Sequence, residues 1–162
     1  MRLFIAIQLS PAMREALLTA QAEMRGQRVR GRYRPPENLH LTLAFIGEYP
    51  DPEAVLDALP TFAPFEIALS GIGAFGDLWW AGLRASGPLD DYARRLRRAL
   101  AEAGIPFDRK RFSPHITLVR QAEGRPAVQL PPVAMTVTRV SLMRSDRGKG
   151  GMIYTELGGV DA

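Results

Sequence analysis

The sequence predicts an α+β fold of two similar lobes, each a mainly antiparallel sheet with helices packed on it, related by a pseudo-two-fold about a central cleft. Three observations predict it. A strand–helix–strand order occurs twice along the 162 residues. The span from first strand to His-bearing strand is 37 residues both times, Leu3 to His40 and Leu78 to His115. The two His strands also open with nearly the same four residues. The repeat distance, His40 to His115, is 75 residues and marks an internal duplication within one domain over 1–162, with the His strands near 39–47 and 114–120.

Leu3 to Leu9 is a short apolar run of β-formers, read as a buried strand. Ser10-Pro11 supplies an N-cap and a first-turn proline, and Met13, Leu17, Ala20 and Met24 recur at helical spacing until Gly26, the expected stop. Residues 39–47 alternate as a strand, and Pro52 to Leu59 reads as a small helix between the lobes. Phe65 to Leu69 and Leu78 to Leu83 read as strands. Gly87-Pro88 then opens a helix with an apolar face of Leu89, Tyr92, Ala93, Leu96 and Leu100 that ends at Gly104. Pro114 to Val119 is the second His strand, followed by strands at Met135–Leu142 and Met152–Leu157. Arg144 to Gly151 is expected to be a flexible basic loop, without the spacing of a phosphate-binding P-loop.

Composition narrows the chemistry. The 46% hydrophobic and 23% charged content is that of an ordinary soluble domain, and no apolar run approaches the roughly 18 residues that span a bilayer. The opening residues turn polar too soon for a signal peptide, so a cytoplasmic protein is expected. Zero Cys excludes disulfides, thiolate zinc sites, iron–sulfur clusters and a Cys nucleophile. The net charge of +4 is carried almost wholly by Arg, Lys110 and Lys149 being the only lysines; genomic GC content accounts for the ratio, while the excess tilts the partner toward a polyanion.

The entire imidazole complement, His40 and His115, lies in the tetrads His40-Leu41-Thr42-Leu43 and His115-Ile116-Thr117-Leu118. With seven Thr in the chain, a Thr two places after both His is expected about 0.2% of the time from composition. A strand turns i and i+2 to one face, so each tetrad presents an imidazole beside a hydroxyl while its aliphatic pair enters the core. Two such pairs facing one cleft suit in-line displacement at phosphorus: one imidazole as base, one as acid, and Thr42 and Thr117 hydroxyls on the non-bridging oxygens. No metal or cofactor is needed by this scheme. The competing readings are hydrogen-bonded core His residues and a two-His metal site, for which Asp108 and Glu37 are the nearest carboxylates in sequence. Symmetry of the tetrads leaves open which His is acid and which base.

The paired tetrads resemble those of the 2H phosphoesterase superfamily. More narrowly, Arg2-Leu3-Phe4-Ile5-Ala6, the stretch Pro36 to Gly47, and Phe112 to Arg120 resemble the bacterial and archaeal RNA 2′,3′-cyclic phosphodiesterases, historically called 2′-5′ RNA ligases. The resemblance implies hydrolysis of a terminal RNA 2′,3′-cyclic phosphate to a 2′-phosphate, and in some members reversible 2′-5′ joining of RNA ends. It makes His40 the proton donor and His115 the proton acceptor. It also implies a phosphate contact from Arg120 and base stacking on Phe45, each five residues after its His; Tyr154 and Trp80 are further aromatic candidates. By strand alternation Arg120 faces away from His115, so it reaches the site only through a bulge or a strand end. Arg28, Arg30, Arg32 and Arg34 on one strand face would be either a solvated edge or an RNA track, whereas Arg94, Arg95, Arg97 and Arg98 read as a solvated helix face. The expected partner is RNA bearing a cyclic phosphate end, acted on by a monomer away from membranes. Two alternatives remain: a non-catalytic binder of RNA ends or nucleotides, and a phosphodiesterase of small cyclic nucleotides.

Overall fold

The computed structural model describes all residues, 1–162. Its elements in chain order are β1 (Arg2–Gln8), α1 (Pro11–Gly26), β2 (Arg30–Tyr33), a 3-10 turn (Pro36–Asn38), β3 (His40–Glu48), α2 (Pro52–Ala58), β4 (Phe65–Phe75), β5 (Leu78–Leu83), α3 (Gly87–Glu102), β6 (His115–Glu123), β7 (Ala134–Val137), β8 (Arg139–Gly148) and β9 (Gly151–Asp161). They form a four-stranded sheet, β3-β1-β8-β9, and a five-stranded sheet, β2-β6-β5-β4-β7, with every pairing antiparallel. Read outward from the His strands, β3-β1-β8-β9 matches β6-β5-β4-β7. This is the expected α+β architecture of two similar lobes.

The repeat is close in detail. α1 and α3 are 16 residues each, and β3 and β6 nine each. Both long helices have a serine cap and a proline in the first turn, Pro11 directly behind Ser10 and Pro88 one residue further from Ser86: the Ser10 hydroxyl accepts from the Met13 N–H and the Ser86 hydroxyl from the Leu89 N–H. Met13, Leu17, Ala20 and Met24 on α1, and Leu89, Tyr92, Leu96 and Leu100 on α3, enter one core continuous through both lobes. Each large apolar side chain buried there contributes about 1.5–3 kcal/mol. On the opposite, cleft-facing side of the first sheet lies a smaller apolar cluster of Phe4, Ala6 and Met143, with Tyr154 packed on it.

The chain path departs from a simple tandem repeat. The first sheet takes β1 and β3 from the start of the chain and β8 and β9 from its end, while the second takes β4 to β7 from the middle and adds β2 at its edge. The single strand expected over 135–142 is two: β7 pairs with β4 in the second sheet, and after Thr138 β8 pairs with β1 in the first. The alternation slips by one residue here, from Met135 and Val137 to Val140 and Leu142, but the break is one residue long and both sides keep β-forming residues, so the run reads as continuous. The expected loop at 144–151 is instead the tip of the β8–β9 hairpin, whose ladder pairs Arg144 with Thr155 and closes at Gly148 and Gly151.

α1 ends at Gly26, as expected, but the glycine is not the left-handed residue that turns the chain. Gln27 is the C-cap, and Arg28 holds the left-handed conformation with φ 64°. The four arginines therefore do not share a strand face. Arg28 lies before β2, Arg30 and Arg32 are exposed on it, and Arg34 follows it, half-buried, with its N–H bonded to the Leu118 carbonyl at 2.9 Å. No helix is long and apolar enough to cross a membrane.

Candidate active site

Each tetrad strand carries a β-bulge at the same place. In β3, Ala6 faces Thr42 but Ile5 faces Ala44, so Leu43 is extra; in β6, Trp80 faces Thr117 but Trp79 faces Val119, so Leu118 is extra. Both residues at each bulge, Leu43 with Ala44 and Leu118 with Val119, are buried in the core. Two consecutive inward side chains reset the alternation, which returns Phe45 and Arg120 to the face of the His and Thr before them. Phe45 is accordingly 53% exposed, excluding a core role, and Arg120 is exposed on the strand. The bulge that Arg120 needs is present, and its twin serves Phe45.

The two imidazoles are oriented alike. His40 Nδ1 lies 2.7 Å from the Asn38 carbonyl oxygen, and His115 Nδ1 lies 2.7 Å from the Ser113 carbonyl oxygen, each acceptor two residues upstream. A carbonyl only accepts, so Nδ1 carries the proton in both rings and Nε2 is left for chemistry. His40 Nε2 is 2.8 Å from Thr42 Oγ1, accepting from the hydroxyl when the ring is neutral and donating to it when protonated. Thr117, the matching hydroxyl, is buried beside His115 on β6.

The surroundings differ. His40 lies 4.9 Å from the Phe4 ring and edge-on to Tyr154 at 5.3 Å, whereas His115 is edge-on to Phe75 at 5.1 Å with Trp80 at 6.3 Å. Trp80 lies across Gly73, where any Cβ would collide with its ring, so only glycine there lets the indole wall the His115 pocket. Burial pushes His40 from the ordinary 6.5 to about 4; the Arg34 charge and, more weakly, His115 push the same way, against the bond to the Asn38 carbonyl. Arg34 is itself lowered by burial, with Tyr154 opposing and Arg120 adding to the shift. Arg34, Arg120 and both imidazoles therefore stand within one electrostatic neighbourhood.

A cleft of about 380 Å³ runs from Thr42 and His115 past Phe45 and Phe75 to Arg97, Lys110 and Arg111. Of the six residues singled out in the sequence, Thr42, Phe45 and His115 line this cleft, while His40, Thr117 and Arg120 lie on the same two strands outside its lining. Sequence reasoning did not separate Arg34 from its exposed neighbours, although its position beside Pro35 and the tetrad loop was a signal. Asn38 was also missed: it is 4% exposed, its carbonyl orients His40, and its side-chain amide donates to the Met152 carbonyl at 2.9 Å, tying the β8–β9 hairpin to the site. Tyr154, also on that hairpin, is a wall of the His40 pocket, with Arg34 Nη1 donating to its hydroxyl at 3.3 Å. No three His, Cys, Asp or Glu side chains stand together as a metal-binding group. Of the two carboxylates considered, Asp108 lines the cleft with Oδ1 accepting from the Lys110 N–H, and Glu37 lies on the 3-10 turn.

A sequence model of the 2'-5' RNA ligase superfamily matches residues 12–149. An RNA 2',3'-cyclic phosphodiesterase of Thermus thermophilus is 36% identical, over 97% of this chain and 88% of that protein. One of Geobacillus stearothermophilus is 29% identical over 85% of this chain, which spans about half (49%) of that protein's length. Among solved structures, E. coli LigT in apo form superposes with a TM-score of 0.83 and 32% identity over 99% of this chain and 96% of that one. LigT has also been solved complexed with 3'-AMP, a structure that matches with a TM-score of 0.80 at 32% identity.

Proposed function

The chain belongs to the 2'-5' RNA ligase superfamily, and on that premise we propose that it opens the 2′,3′-cyclic phosphate at an RNA end to a 2′-phosphate, with His40 and His115 as the proton carriers. The observation that carries this reading is the matched pair of imidazoles. Each has Nδ1 committed to a carbonyl two residues back, which turns Nε2 away from that carbonyl; His40 Nε2 meets the Thr42 hydroxyl of its own tetrad at 2.8 Å.

In this mechanism a water oxygen attacks phosphorus in line with the 3′ oxygen. His115 Nε2 takes the water's proton as the new P–O bond forms, and His40 Nε2 gives its proton to the 3′ oxygen as the P–O3′ bond breaks. The products are a 2′-phosphate and a 3′-hydroxyl. Thr42 and Thr117 hydroxyls and the Arg120 guanidinium hold the equatorial oxygens, and Phe45 offers its exposed face to the terminal base. With a 5′-hydroxyl RNA end in place of water, the same transfers yield a 2′-5′ phosphodiester. Both imidazoles come from one chain, which supports a monomer as the active unit.

The donor role of His40 has a requirement. At neutral pH the free ring is unprotonated, because burial and Arg34 hold it at about 4. A bound phosphate anion offsets the Arg34 and Arg120 charges, so His40 takes up its proton together with the substrate. The low value also gives specific support to the reversed roles, His40 as base and His115 as acid. A cyclic substrate with sulfur in place of the 3′ oxygen separates the two, because a thiolate leaves without protonation. His40→Ala should recover on that substrate if His40 is the acid, and His115→Ala should recover instead if the roles are reversed. The activity itself is tested with a cyclic-phosphate oligoribonucleotide in EDTA. A 2′-phosphate product is expected, and absence of turnover, or turnover that needs added metal, rejects the two-His reading. Prolonged binding without product would favour the non-catalytic alternative.

A further inference from the structure

We propose that Arg97, Lys110 and Arg111 form a subsite for the phosphodiester next to the terminal cyclic phosphate, so that the protein prefers ends of two or more nucleotides over a free cyclic mononucleotide. The inference rests on the cyclic phosphodiesterase reading and adds the substrate's length to it. The three cations line the same cleft of about 380 Å³ as Thr42 and His115, a volume in the range of ligand sites. None of the three takes part in an ion pair, in contrast to Arg94 and Arg95 on the same helix, which both engage Asp91. The one carboxylate on this wall, Asp108, already accepts from the Lys110 N–H at 3.0 Å.

Arg97 is set in place before any ligand arrives. Its Nη1 donates to the Lys110 carbonyl at 2.6 Å, and its guanidinium lies 5.7 Å from the Phe107 ring centre and 5.9 Å from that of Phe112. Its buried Nε has no protein partner. A fixed planar cation suits a phosphate oxygen, and two exposed cations beside it supply further charge. The loop bearing them is fastened to the site strand by the Asp108 N–H to Phe45 carbonyl bond at 2.8 Å. A nucleotide stacked on Phe45 with its cyclic phosphate at His115 therefore sends its 5′ side past this wall. The four arginines at 28–34 form no such row.

The test compares kcat/KM for 2′,3′-cyclic AMP with that for an adenosine dinucleotide ending in a 2′,3′-cyclic phosphate. The wild-type protein should favour the dinucleotide by about tenfold or more, mostly through KM. Its log kcat/KM should also fall more steeply with log salt, by about 0.7 for the added phosphate contact. In Lys110→Ala/Arg111→Ala, where both residues are exposed and removable without disturbing the core, the preference and the extra salt slope should both fall toward zero. Arg98→Ala, an exposed charge removed from the same helix outside the cleft, should keep them. Equal turnover of the two substrates by the wild type, or a preference preserved in the double variant, overturns the subsite and leaves the activity standing. No turnover of either substrate overturns the activity and the subsite with it.

Discussion

Phe45 and Arg120 occupy the same place in two copies of one motif, five residues after a His and just past a bulge that turns two neighbours into the core. One copy puts an aromatic face on the cleft, and the other turns a guanidinium outward on its strand. The pockets diverge in the same way: His40 is enclosed by Phe4, Tyr154 and Arg34, whereas His115 stands against Phe75, which is 48% exposed. The features kept in both copies, ring orientation and hydroxyl, are those a symmetric proton relay across phosphorus requires. The features that differ are those a substrate with a base at one end and charge at the other requires. On the proposed mechanism, the repeat provides the two proton carriers, and the differences around them provide the polarity.

The largest effect should come from breaking what the lobes share. His40→Ala and His115→Ala are each expected to lower kcat by about 10²–10⁴-fold on a normal cyclic phosphate, and the double variant should be little worse than the poorer single one. A single variant retaining near-full rate would remove that His from the relay. Next comes the position at which the lobes differ. Arg120→Ala should cost about 10- to 100-fold in kcat/KM with the loss partly in kcat, because a charged contact at phosphorus strengthens as charge moves. Phe45→Ala should raise KM about 5- to 100-fold and spare kcat, because stacking is the same before and at the transition state. Steady-state kinetics of the pair decides whether the two equivalent positions do different work.

The smallest effect is a titration. Arg34→Gln removes a cation but keeps a donor for Tyr154, so the His40 pKa should rise from about 4 toward 6.5 while burial still holds it below. With two His in the chain, the imidazole proton resonances report it directly. Stability follows the same linkage. Between pH 6.5 and about 4 the unfolded chain binds the His40 proton and the folded one does not, so stability is full above that window and falls on acidification through it, by on the order of 3 kcal/mol. In Arg34→Gln the loss on acidification should be smaller, as read by denaturant midpoints at each pH. An unchanged His40 titration would remove Arg34 from the account of its low value.

Much of this was legible in the sequence because it is local. A Ser or Asp cap with a proline in the first turn, and an apolar helical period behind it, define a helix wherever it packs, which is why α1, α2 and α3 lie where the pattern places them. The tetrads announce themselves by alternation within four residues. Other features depend on distant partners. Arg34 resembles Arg30 and Arg32 until β2 ends and the chain turns inward beneath Tyr154, 120 residues later. The break at Thr138 moves the chain from one sheet to the other with only a one-residue slip in the apolar phase to mark it. The bulges lie between: strand alternation alone turned Arg120 the wrong way, and only the buried Leu118-Val119 pair shows how it is turned back.

The chain path also sets an order on synthesis. The middle lobe is complete, apart from its edge strand β2, in one unbroken run from Phe65 to Val137, whereas β1 finds β3 early but meets β8 only when Leu142 arrives opposite Ile5. At about 5–20 residues per second, that leaves one edge of an apolar strand unpaired on the ribosome for roughly 7 to 27 s. An open edge of this kind is where chains pair with their neighbours. His40 is on the half that must wait, so a nascent chain acquires its second lobe's imidazole in a folded setting first, and His40 gains its Tyr154 wall only when the last hairpin closes.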